Sequence, residues 1–175
     1  NIKEDEVYTL SDVKVTGEFV IPREEIEKFI FAKPGQTFSQ GLLTSITELI
    51  EYELGEEGYS FAEVEAVTEL DRENKEVKVV FYLQPKDRVY VRRISFSDTT
   101  SINDGVLRRE MRQLEGGYYS KSKLERSKIR LQRLPFIEEV NYETYPFPGS
   151  TDLVDAEFNI KEGLPGQFGG GIGYS

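Results

Sequence analysis

The chain has 175 residues, 38% hydrophobic and 31% charged, a balance that suits small cores beneath a large solvated surface rather than one extensive core. It carries no cysteine and no histidine, which excludes thiol nucleophiles, Ser-His-Asp triads, disulfides and the usual zinc ligands. The net charge of −10 belongs to one half: residues 1–86 hold nine Lys/Arg against nineteen Asp/Glu, whereas residues 87–175 hold thirteen of each.

The opening "NIKEDEVYTL" has neither a basic start nor an apolar centre, and no run approaches the roughly 18 apolar residues of a membrane span. The chain therefore reads as a piece of a longer protein. The first predicted strand has Val13 and Val15 at spacing two and Leu10 three positions earlier, a break in alternation that predicts a bulge or bend. A short helix follows, with Ile26, Phe29 and Ile30 on one face, Pro22, Glu24 and Glu25 at its start and Gly35 at the exit. A second helix begins near Ser39 with the stripe Leu43, Ile46, Ile50 and Leu54. Two alternating runs around the polar "DRENKE" then predict a hairpin, its second strand carrying Val77, Val79, Phe81 and Leu83.

After "QPKDR" (84–88), too short for free tumbling, the pattern repeats with an offset of 81 residues. "VRRISFSD" matches "LSDVKVTG", with Val91, Ile94 and Phe96 in the strand and the same break. The second copy's short helix takes Leu107, Met111 and Leu114, with Asn103 and Asp104 as start signals, Glu115 in its last turn and Gly116 at the exit. Glu115 is conspicuous because the helix macrodipole favours a cation there; an i, i+3 pair with Arg112 is the simple explanation. The next helix starts near Ser120 or Ser122, where Glu125 offers a capping box, and its stripe of Leu124, Leu131 and Leu134 is sparse. "EEVNYETY" and the run Val154, Ala156, Phe158, Ile160 flank "PGSTD" as a second hairpin. Each copy is thus strand, helix, helix, strand, strand, an α+β module with two helices on one face of a three-stranded mixed sheet.

"KEGLPGQ" supplies Gly163, Pro165 and Gly166 as a candidate hinge. In the closing "GQFGGGIGYS", Phe168, Gly170, Ile172 and Tyr174 alternate with glycines and no helix follows, so a strand is expected rather than a phosphate loop.

Other chemistry finds little support. Arg108, Arg109, Arg112, Arg126, Lys128, Arg130 and Arg133 cluster on the second copy's helices, but that copy is neutral overall and "GEEG" (55–58) has the wrong charge for a phosphate-gripping GxxG loop. The acids lie scattered on helix faces and in turns, without an apolar pocket to raise one pKa for acid–base work, and no calcium-loop spacing occurs. No enzyme activity, cofactor or metal is expected. Small sheets do leave edge strands, and these can accept an extended peptide through backbone hydrogen bonds.

The tandem β-α-α-β-β module, with "GYSFAEV" (58–64) and "LPFIEEV" (134–140) entering the hairpins, resembles the POTRA domains of outer-membrane β-barrel assembly proteins. "RVYVRRISF" (88–96), "VLRREMRQLEGGYYS" (106–120) and "GGGIGYS" (169–175) are similar to the last POTRA domain and first barrel strand of BamA-type members. Two departures stand out: Asp98 where the family often has the glycine kept here as Gly17, and Leu134-Pro135-Phe136 in place of a Leu-Gly-Phe step.

The resemblance implies a penultimate POTRA domain over 1–85, the last over 86–163, and a hinge with a truncated barrel strand over 164–175. It further implies a periplasmic, non-enzymatic scaffold of a Gram-negative outer membrane. Expected partners are the accessory lipoprotein BamD, other lipoproteins of the complex and unfolded outer-membrane proteins, with no nucleic acid. Arg108, Arg112 and Glu115 would meet the lipoprotein, and Glu63, Val64 and Glu65 with Val140, Asn141, Tyr142, Glu143 and Thr144 would be strand-accepting edges. The alternatives are a POTRA pair of an autotransporter-assembly or two-partner-secretion transporter and, from another class, a nucleic-acid-binding αβ module.

Overall fold

The computed structural model describes residues 6–99 and 101–163. Its packing separates two units: residues up to Gly55 together with Tyr59–Asp87, and Glu56–Gly58 together with Arg88 onward.

The first unit contains β1 (Thr9–Gly17), α1 (Arg23–Phe29), α2 (Gln40–Glu56), β2 (Glu63–Asp71) and β3 (Glu76–Gln84). Its sheet order is β1-β3-β2, with β1 parallel and β2 antiparallel to the central strand. The order follows from the alternation: Val77, Val79, Phe81 and Leu83 are all buried, as the middle strand of a one-sided sheet requires. Ile26 of α1 and Leu43, Ile46, Ile50 and Leu54 of α2 cover that face, and Phe29 and Ile30 pack at its border. The expected break in β1 is a register shift between Leu10 and Asp12. There the strand's outer side is taken by the loop after α1: Leu10 N–H donates to the Gln36 carbonyl at 2.8 Å, and Gly35 N–H returns a bond of the same length. Gly35 has φ of +95°, which glycine adopts without strain.

The second unit repeats the plan with β4 (Tyr90–Ser97), α3 (Asp104–Glu110), α4 (Lys121–Gln132), β5 (Ile137–Pro146) and β6 (Leu153–Glu162), in the order β4-β6-β5. The register shift recurs between Val91 and Arg93, and Asp98 reaches φ of +63° where the first unit uses Gly17 at +115°.

Three local expectations are corrected here. First, α3 ends at Glu110, so Leu114 and Glu115 lie beyond the helix; Leu114 is 67% exposed, while the neighbouring Gln113 is buried. Gln113 accepts from Ser120 N–H and donates to the carbonyls of Leu114 and Tyr118, so it ties the loop together from inside. Second, the gap in the α4 stripe is filled by buried Ser127, whose Oγ accepts from the amides of Arg112 and Gln113 at 2.8 and 3.3 Å. Third, Ser120 caps α4 by accepting from Lys123 N–H, but Glu125 is no capping-box partner and binds the Tyr142 hydroxyl instead.

Candidate interaction sites

With β3 and β6 in the middle, each unit has two edge strands, and the ladders fix which backbone groups face out. The carbonyls of Lys75 and Leu83 accept from Thr9 and Glu18, so the odd-numbered residues of β3 turn towards β1. Val64, Ala66 and Thr68, opposite Leu83, Phe81 and Val79, therefore direct their N–H and C=O groups away from the sheet. Likewise Asp152 O accepts from Tyr90, which turns Ala156, Phe158 and Ile160 towards β4 and leaves their partners Thr144, Tyr142 and Val140 facing out.

The two predicted edges differ in what lies beside them. At β2, the Glu51 carboxylate of α2 accepts from Val64 N–H at 2.9 Å, so a helix side chain already occupies the start of that edge. Glu63 pairs with Lys86 at 2.8 Å, and Glu65 follows in the exposed row. At β5, the outward groups of Val140, Tyr142 and Thr144 meet no partner among the described residues. Asn141, Tyr142, Glu143 and Thr144 border a cleft of about 460 Å³ whose other wall is Lys121, Glu125 and Lys128 of α4. The Tyr142 ring packs against Phe158 at 5.2 Å and its hydroxyl donates to Glu125 at 2.9 Å. Burial, reinforced by that carboxylate, raises its phenol pKa well above the ordinary value.

Arg108 and Glu115, expected as parts of a docking surface, meet at the outer edge of β4. Glu115 Oε2 accepts from Ile94 N–H at 2.7 Å, and Arg108 Nη2 donates to the Ile94 carbonyl at 2.9 Å. The two side chains lie 3.5 Å apart, and Arg108 also donates to Asp104 at 2.6 Å. Asp104 first, and Glu115 after it, hold the guanidinium pKa above its already high value. Each is roughly two-fifths exposed, so the pair is reachable from outside.

Arg112 lies apart from this pair; its guanidinium donates to its neighbour's carbonyl, and the simple Arg112–Glu115 pairing gives way to Arg108–Glu115. Sequence reasoning missed the backbone of Ile94, because an edge amide carries no residue-type signal. Of the predicted hinge residues, Gly163 donates its N–H to Phe136 O at 2.9 Å, while Pro165 and Gly166 lie outside the described residues, as does the predicted strand at 168–175. Among the described residues no cluster of acids could hold a metal ion.

The POTRA family profile, described as a surface antigen variable number repeat, matches residues 8–86 and again 89–163. Over 147 residues the chain is 31% identical to the outer membrane protein assembly factor BamA of Neisseria meningitidis serogroup B, covering 84% of this chain and 18% of that protein. The BamA of Nitratidesulfovibrio vulgaris is 29% identical over 178 residues, covering 99% of this chain and 22% of its own length. Among solved structures, BamA from Haemophilus ducreyi lacking POTRA domains 1–3 superposes with a TM-score of 0.75 at 33% identity, covering 89% of this chain and 29% of that one. The POTRA3-5 fragment of Haemophilus influenzae BamA gives 0.69 at 33% identity, covering 89% of this chain and 61% of the fragment. The chain thus spans about a fifth of the curated relatives it matches.

Proposed function

The chain belongs to the POTRA family, and from that premise we propose that it forms the two barrel-proximal periplasmic modules of a BamA-type outer-membrane assembly protein, with no chemistry of its own. The second module docks the lipoprotein BamD through Arg108 and Glu115, with Arg112 at the margin. The β5 edge guides unfolded barrel precursors by strand addition, and β2 does so beyond Val64. Gly163, together with Pro165 and Gly166 beyond the described residues, is the proposed hinge towards the barrel.

The observation that carries this reading is the β5 edge. Backbone groups of Val140, Tyr142 and Thr144 face outward, the last two beside a polar cleft, where an extended client of any sequence can be held by hydrogen bonds while its side chains alternate between cleft and solvent. Such pairing is weak and sequence-tolerant, as a factor that handles many clients needs. Docking is supported by an exposed charged pair beside the exposed apolar side chain of Leu114, a combination suited to a polar interface with one apolar contact.

Calorimetric titration of the 175-residue chain with the same organism's BamD tests the docking half. The native chain binds and Glu115→Lys, folded by circular dichroism, binds at least about tenfold more weakly, equivalent to about 1.4 kcal/mol. Equal affinities would remove the role of Glu115. No binding by either chain would return the function to the related transporters.

A further inference from the structure

The pair that closes β4 at Ile94 has no equivalent on β1. Pro34 stands where the offset of 81 residues places Glu115, and Glu27 stands where it places Arg108. The intrahelical partner is reversed too, with Arg23 at the position of Asp104. The same ladder alternation turns the N–H and C=O groups of Val13 and Val15 away from β3, and among the described residues none of these groups meets a hydrogen-bonding partner. Beside them lies a cleft of about 400 Å³, lined by Val13, Val15, Arg23, Glu27, Ala32 and Pro34 among others.

The second module shows what chemistry completes such an edge: an acceptor 2.7 Å from the strand N–H, and a cationic donor 2.9 Å from the strand C=O that is itself near a carboxylate. In the first module the carboxylate is present as Glu27, exposed and without an ion pair among the described residues. The acceptor and the cation are missing. The cations already in the cleft are engaged elsewhere, Lys14 with Asp12 at 3.5 Å and Arg23 over the Phe19 ring at 4.6 Å. The surrounding half of the chain carries a net charge of −10, which also draws a basic ligand.

We propose that the β1 edge of the first module, at Val13 and Val15, is a second strand-accepting site, selective for an extended segment that brings a Lys or Arg side chain to Glu27. The guest's carbonyl takes the place of the Glu115 carboxylate at Val13 N–H, and its basic side chain takes the place of the Arg108 guanidinium. This site is separate from the β5 edge and from the docking pair. It rests on the proposed function only for the source of the guest, an unfolded client segment.

The test uses the full 175-residue chain and a blocked, soluble hexapeptide of alternating valine and lysine, followed residue by residue in amide NMR spectra. A valine–glutamate hexapeptide serves as the comparison. The Val13 and Val15 amides are expected to shift and their hydrogen exchange to slow about tenfold with the lysine peptide, and to respond several-fold more weakly to the glutamate peptide. Transplanting the second module's closure, Glu27→Arg with Pro34→Glu, abolishes the response. The milder Glu27→Gln, which changes one exposed charge, weakens lysine-peptide binding several-fold and keeps the test alive if the double variant does not fold. Shifts confined to Val140, Tyr142 and Thr144 would overturn this site while leaving the proposed function standing. Equal binding of both peptides, or an undiminished response in the transplanted variant, would also overturn it.

Discussion

In the first module a helix carboxylate, Glu51, takes the N–H of Val64 on β2, while β1 at Val13 meets no partner among the described residues; in the second, Glu115 and Arg108 take both groups of Ile94 on β4, while β5 from Val140 meets none among them. Two copies of one fold therefore close opposite edges. The difference lies in single side chains and leaves the sheet order and the place of the bulge unchanged. An edge strand is a standing invitation to pairing, and one carboxylate aimed at one amide is enough to withdraw it locally. In a repeat protein the sheet plan can thus stay fixed while each copy leaves a different edge open.

The largest expected effect tests the equivalence of the cores. Phe81 and Phe158 are both fully buried at matching positions, so Phe81→Ala and Phe158→Ala should each cost about 3–5 kcal/mol, confined to the module that carries the change. Residue-resolved denaturation by amide NMR checks this, and unequal costs would break the equivalence. Next comes the turn after each first strand. Gly17→Ala would put a Cβ 2.4 Å from the Leu83 carbonyl at φ of +115°, costing on the order of 3 kcal/mol, whereas Asp98→Gly at φ of +63° should stabilise the second module by about 1 kcal/mol. Chemical denaturation of each variant measures both.

Removing the closures themselves has a smaller effect on stability. Glu115→Ala and Glu51→Ala each delete a charged acceptor from an edge amide, at about 1 kcal/mol after allowance for their exposure. The expected signature is faster exchange at Ile94 and Val64 respectively, with the other module untouched.

The smallest effect is electrostatic. Asp71 accepts from the side chain and backbone amide of Asn74 and the amide of Glu73 at the β2–β3 turn, which holds its pKa below the ordinary carboxylate value. A depressed folded-state pKa means stability that is present above the unfolded value and lost as pH falls through the folded one. Protection at Glu73 and Asn74 should therefore fade on acidification below the usual Asp range, and Asp71→Asn should remove that pH dependence. Tyr142 has the opposite sign. Its raised pKa makes its contribution complete at neutral pH and lost only in strong alkali as pH rises through the folded value.

Most of the fold was legible because apolar spacing reports which side of an element is buried. The stripe Leu43, Ile46, Ile50 and Leu54 and the alternation Val154, Ala156, Phe158 and Ile160 carried directly into the two cores. The bulge was legible because both copies broke alternation at the same place. Reading failed where a polar side chain took a buried place: Gln113 is buried where Leu114 was expected to be, and Ser127 fills the gap in the sparse α4 stripe, while Leu114 is exposed. For the candidate sites, Glu115 stood out as an acid at an expected helix end and Arg108 through the family resemblance, but their target did not. Backbone amides are the same in every sequence, so a closed edge and an open one differ only after the strands are assembled.

The most direct test is native-state amide exchange at neutral pH, compared at four matched positions: Ile94, Val64, Val13 and Val140. Asymmetric closure predicts Ile94 and Val64 exchanging roughly tenfold or more slowly than Val13 and Val140, with the slow rates lost in Glu115→Ala and Glu51→Ala. Four similar rates, or slow exchange at Val13 that survives in every variant, would contradict it.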